Sequence, residues 1–152
     1  MKNYEDILRE DGYLMYRTKG GSMLPLLREN RDVVLIRKKP EGRLRRYDVP
    51  LYKSQGRYIL HRILRVRKND YVIVGDHLTV KEYGITDEQI LGVLELVIRD
   101  GKEIRVTDPK YRLYAHLWCD FYPIRVVLIR CRQILAGLKR RLKKLFRKGQ
   151  TE

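Results

Sequence analysis

The chain has 152 residues, 43% of them hydrophobic and 35% charged, with 34 Lys and Arg against 19 Asp and Glu for a formal net charge of +15. That length holds one core with an appendage rather than two full-sized domains, and the apolar fraction excludes a disordered chain. A charge of that sign and size calls for an anionic partner, either nucleic acid or a membrane surface. No apolar run reaches the ~18 residues of a membrane span. The opening Met1-Lys2-Asn3-Tyr4-Glu5-Asp6 carries no apolar secretory segment, so the expected compartment is the cytosol with thiols reduced. Cys119 and Cys131 lie outside any CxxC spacing, which argues against a zinc ribbon or a disulfide scaffold; no metal or cofactor is expected.

In chain order, Asn3 and Asp6 mark a helix start, and a brief helix through Ile7 and Leu8 ends at Gly12. Val33 to Ile36 is an apolar run bounded by Asp32 and Lys39-Pro40. Runs from Val49 to Lys53 and from Tyr58 to Val66 flank Ser54-Gln55-Gly56, at hairpin spacing. Tyr71 to Val74 follows the turn cluster Lys68-Asn69-Asp70, and Thr86-Asp87-Glu88 reads as a helical turn or cap. Leu94 to Ile98 and Glu103 to Val106 flank Asp100-Gly101, a strong hairpin signal. Many short strands joined by tight turns predict a mainly β fold, an antiparallel, partly closed barrel-like sheet.

The last 44 residues differ. From 109 to 152 there are 12 Lys and Arg and 2 acids, so two thirds of the net charge lies there. This divides the chain into a body, residues 1–108, and a basic C-terminal helical arm, residues 109–152. Pro109 opens one helical segment through Trp118, and Pro123 precedes a second from about Ile124 to Phe146. Ile124, Val127, Leu128, Cys131, Leu135, Leu138, Leu142 and Leu145 recur at helical spacing. Arg125, Arg132, Lys139, Arg140, Lys143, Lys144 and Arg147 fill much of the remaining surface.

Three stretches of the body could carry chemistry. In Gly20-Gly21-Ser22-Met23-Leu24-Pro25 the glycines permit a sharp turn and Pro25 fixes the exit, so Ser22 can project from a constrained loop. A serine hydroxyl becomes a nucleophile only beside a base, and the ordinary reading of Gly-Gly-Ser is a simple turn. His61, within Tyr58-Ile59-Leu60-His61-Arg62-Ile63, is a natural general base at neutral pH, although a histidine in an apolar strand is more often structural. Asp76, after Gly75, and Glu82, six positions on, are carboxylates able to orient an imidazole; singly they read as a turn residue and a solvated charge.

The order Ser-Met-x-Pro, then an apolar strand with His-Arg-Ile, then Gly-Asp, resembles the type I signal peptidase superfamily, which includes the self-cleaving repressor peptidases. The resemblance covers about Gly20 to Val97. His61-Arg62-Ile63 stands where the bacterial branch has a lysine base, which is similar to the endoplasmic-reticulum branch with its histidine. The resemblance implies a serine endopeptidase with Ser22 as nucleophile, His61 as base and Glu82, or alternatively Asp76, as orienter. It places Gly20, Gly21, Met23 and Pro25 in the oxyanion and substrate loop. It further implies an extended peptide or precursor-protein substrate, added to a sheet edge, with small residues before the cut. Relatives often carry a serine at the position of Gly20. Lys53 is the rival base. A catalytically weak relative acting as a binding module is the alternative.

For the arm, one expectation is an interfacial helix on an anionic membrane, with Trp118, Phe121, Arg132, Lys139, Arg140, Lys143 and Lys144 in contact. Nucleic acid is the less favoured partner, since no helix-turn-helix, zinc-finger or aromatic-sheet signature accompanies the charge. The plain structural alternative is an apolar stripe packed on the body or on another subunit.

Overall fold

The computed structural model describes the backbone of residues 3–148 and the side chains of residues 3–140. Helix α1 (Tyr4–Asp11) starts where Asn3 Oδ1 accepts the Asp6 N–H at 2.8 Å, and ends at Gly12 in the left-handed region. Strands β1 (Tyr13–Arg17), β2 (Val33–Lys38), β3 (Pro50–Ser54) and β4 (Arg57–Leu60) follow. Then come β5 (Arg62–Val66), β6 (Tyr71–Val74), β7 (Glu82–Ile85), a 3₁₀ turn (Asp87–Gln89), β8 (Ile90–Arg99) and β9 (Lys102–Arg105). Helices α2 (Pro109–Asp120) and α3 (Tyr122–Lys148) complete the chain. The fold is mainly β, an antiparallel half-barrel sheet with C-terminal helices.

The larger sheet runs β1-β2-β8-β3-β4, with β9 also on β8; β5-β6-β7 form a second sheet. Strand β8 organises the first: it pairs β2 along one side, and β3 then β9 along the other. The apolar run from Tyr58 to Val66 is not one strand. It breaks at His61, because Arg57–Leu60 pairs β3 while Arg62–Val66 pairs β6 in the other sheet. His61 therefore stands at the corner where the chain changes sheets. Two strands lie outside the sequence-based expectation: β1, which follows directly on the Gly12 that ends α1, and β7, which Gly84 interrupts.

One apolar core fills the larger sheet, with Val34, Ile36, Leu51 and Val97 against Leu8 of α1 and Tyr111 and Ala115 of α2. The other packs Tyr52 against Ile63, Tyr71, Ile73 and Ile85. Packing thus continues past residue 108. Helix α2 is part of the body, and the first two turns of α3 are anchored by buried Arg125 and Ile129. Arg125, expected on the basic surface, instead donates to the Leu78 carbonyl at 3.0 Å, with its guanidinium 4.7 Å from the Tyr122 ring. Burial lowers its pKa. After Ile129 every described α3 side chain is exposed, so the apolar stripe does not pack on the body.

Candidate active site

Ser22 lies in the loop between β1 and β2. Met23, Leu26 and Leu27 are buried and anchor this loop, each contributing roughly 1.5–3 kcal/mol. Gly20 adopts φ +84, a conformation costly for any other residue type, and its N–H donates to Glu29 Oε1 at 2.9 Å. Pro25 follows a cis peptide bond. The Asn30 N–H reaches the Thr18 carbonyl at 2.9 Å, closing the loop across its base. Asp32, fully buried, accepts from Arg28 and Arg99; burial opposes its charge, but the two guanidiniums outweigh that and hold its pKa low.

The loop is also pinned from the far side. The His77 N–H donates to the Ser22 carbonyl at 2.8 Å, and the Asp76 N–H to Met23 Sδ at 3.5 Å. The approach is so close that a Cβ on Gly75 would sit 2.7 Å from the Ser22 carbonyl oxygen. Gly75→Ala is therefore expected to cost about 1–3 kcal/mol through overpacking. It should also displace the Ser22 backbone, which thermal unfolding and any Ser22-dependent reaction would register together.

His61 is buried, and its Nδ1 lies 2.6 Å from Glu82 Oε1. A carboxylate there keeps a proton on Nδ1 and leaves the Nε2 lone pair as the basic position. The Tyr52 hydroxyl donates to Glu82 Oε2 at 2.8 Å and lies 3.3 Å from His61 Nδ1. Burial first, then the bond to Glu82, pushes the Tyr52 pKa far up, so its proton stays on the phenol as a donor. Tyr52 is the residue that sequence reasoning missed. In Leu51-Tyr52-Lys53 it reads as strand filler, and only the fold puts it beside Glu82.

Asp76 does not meet His61. Its carboxylate receives a two-pronged guanidinium from Arg62, Nε at 2.9 Å and Nη2 at 2.8 Å, and the Tyr114 hydroxyl at 2.9 Å. Arg62 and Asp76 are both fully buried; burial is the largest single influence on Arg62 and opposes its charge, but Asp76 together with Tyr111 and Tyr114 outweighs it and holds the Arg62 pKa high. Of the two carboxylates expected near the base, Glu82 is the one on the imidazole; Asp76 braces the residue next to it. Lys53 is on Glu5 at 2.6 Å, which raises its pKa, the wrong direction for a base. Trp118, expected at a membrane, donates Nε1–H to the Asp76 carbonyl at 2.8 Å and stacks on Tyr114, so it belongs to the body. Phe121 is exposed, as are Arg132, Lys139 and Arg140; Lys143 and Lys144 lie outside the residues with described side chains.

Ser22 and His61 line one cleft of about 340 Å³. Its other walls come from Tyr16, Arg17 and Thr18 at the end of β1 and from Tyr58 to Leu60 of β4. These strands are the two edges of the larger sheet, so the sheet curls until its edges face each other. Tyr4 of α1 spans them, its ring 5.2 Å from Tyr16 and 4.8 Å from Tyr58. No family model and no curated protein matches the chain. Neither Ser22 Oγ nor His61 Nε2 has a hydrogen-bond partner among the described residues, so the two are not yet joined in this conformation. Among the described residues no group of three or more His, Cys, Asp and Glu is placed to hold a metal.

Proposed function

We propose that the protein is a serine endopeptidase of signal-peptidase type, acting on an extended peptide segment. The observation that carries this reading is a serine on a braced loop and a carboxylate-paired histidine, lining one cleft between two unpaired strand edges. An extended peptide entering there would find free backbone groups of β1 and β4 to pair with. Ser22 Oγ attacks the scissile carbonyl while His61 Nε2 takes its proton. Glu82 stabilises the imidazolium, and His61 then returns the proton to the leaving amine. Water, activated by the same imidazole, releases the acyl group from Ser22. The Ser22 N–H, without an acceptor among the described residues, is a donor for the oxyanion. Gly20 supplies no hydroxyl there, and the lack of one such donor costs up to ~3 kcal/mol of transition-state stabilisation.

The test is cleavage of a degenerate peptide mixture read by mass spectrometry. We expect cuts after small residues, and Ser22→Ala is expected to reduce the rate by at least about 10³-fold with an unchanged fold. Equal cleavage by Ser22→Ala would remove the assignment. Failure of the unaltered protein to cut any peptide, or to acylate with a serine-directed probe, would leave the weak or silent relative as the better reading.

A further inference from the structure

Helix α3 presents a face with no covering. Ile124, Val127, Leu128, Ile134, Leu135 and Leu138 are between 49% and 63% exposed, and they recur along three adjacent rows of the helix. Such a face is broader than the two-row seam of a coiled coil. Its direction is fixed, because Arg125 and Ile129 on the opposite side are buried against the body. No described helix is long and apolar enough to cross a membrane.

The charge around this face has one sign. Residues 121–148 contain no Asp or Glu, and Arg130, Arg132, Lys139 and Arg140 make no ion pair with any described residue. A second copy of the helix would bring like charges to its own rim. The occupant must therefore be apolar inside and anionic outside.

A basic cavity lies at the foot of the same helix. It measures about 630 Å³ and is walled by Arg46, Arg65, Arg67 and Lys81 together with Tyr122 and Pro123. Arg46 pairs Asp120 and Arg67 pairs Asp70, whereas Arg65 and Lys81 have no acidic partner among the described residues. Pro123 shares a helical row with Val127 and Ile134, so the cavity wall runs directly into the apolar face.

We propose that these features form one docking surface for an anionic lipid bilayer: the α3 face enters the acyl boundary, and the cavity at its foot receives lipid phosphates through Arg65 and Lys81. Truncation after Tyr122 would not isolate this function, because it removes the buried Arg125 and Ile129; point variants do.

The experiment is vesicle flotation of the full chain with phosphatidylcholine alone, and with phosphatidylcholine and phosphatidylglycerol at about two to one. Binding is expected only to the mixed vesicles and should weaken as salt is added. Leu128→Glu with Leu135→Glu should weaken it by at least about tenfold without changing the unfolding temperature, since both side chains are exposed. Arg65→Gln with Lys81→Gln should weaken it by about fivefold per cation removed. Removing two charges elsewhere, Arg57→Gln with Lys102→Gln, should change it by less than about twofold. Equal binding to both vesicles, no binding to either, or unaltered binding of Leu128→Glu with Leu135→Glu would overturn the proposal. So would a dimer in solution that this double variant dissociates, or duplex DNA bound in preference to vesicles.

Discussion

Replacing Glu82 with Gln is expected to lower kcat on a cleavable peptide by about 10⁴-fold while KM and the unfolding temperature hardly change. The carboxylate accepts from His61 Nδ1 at 2.6 Å, which keeps the ring proton on Nδ1 and Nε2 free to receive the Ser22 proton. An amide can turn its NH₂ toward Nδ1 instead. The ring proton then sits on Nε2, where it blocks the base. Tyr52, which donates to Glu82 Oε2 at 2.8 Å, would favour that turn, because its hydroxyl needs an acceptor and the amide oxygen is the one left. Stability should move by less than about 1 kcal/mol, because Glu82 is partly exposed on β7. The measurement is kcat alongside thermal unfolding, and activity within tenfold of the unaltered protein would show that Glu82 does not orient the base.

Asp76→Asn should do the reverse: a large loss of stability, about 3–5 kcal/mol, with activity lost as a consequence. Arg62 and Asp76 are both fully buried, joined by two bonds of 2.9 and 2.8 Å. Removing the carboxylate charge strands a guanidinium away from water. For a chain of this size the unfolding midpoint should fall by roughly 10 °C. The Asp76 segment also holds the Ser22 loop through Met23 Sδ and the His77 N–H, so local loosening reaches the nucleophile. Replacing both partners with apolar residues, as in Arg62→Met with Asp76→Leu, is expected to recover much of the loss, since no buried charge is then unpaired. If Asp76→Asn alone leaves the midpoint within about 2 °C, the brace is not structural.

The two substitutions together separate roles that the primary structure leaves open. Asp76 follows Gly75 in the spacing that resembles a catalytic motif, and along the chain only that resemblance favours Glu82 over it. Arg62 makes the difference. It is the neighbour of His61, it is buried, and a buried guanidinium needs a carboxylate; Asp76, at the end of the strand paired with β5, is the one within reach. Glu82 then meets the imidazole because β7 pairs β6 with Ile73 opposite Glu82.

Other features divide in the same way. The constrained Ser22 loop was legible because glycine and proline restrict the backbone locally. The strands near Val33 and Tyr71 and the Asp100-Gly101 turn announced themselves by apolar runs and turn residues. The break at His61 did not, because its residues remain apolar and strand-forming on both sides; only the change of pairing partner ends one strand and begins the next. Tyr52 was invisible for a related reason, since its partner lies 30 positions away.

By itself the sequence determined the mainly β class, the loop that carries Ser22, the candidate base and the amphipathic period of α3, all of which depend on residues close together along the chain. The tertiary structure decided which carboxylate meets His61, which pairs with Arg62, and which way the apolar face of α3 points. Those outcomes depend on groups far apart in sequence competing for the same partners once water is excluded, and that competition exists only after the sheets have closed.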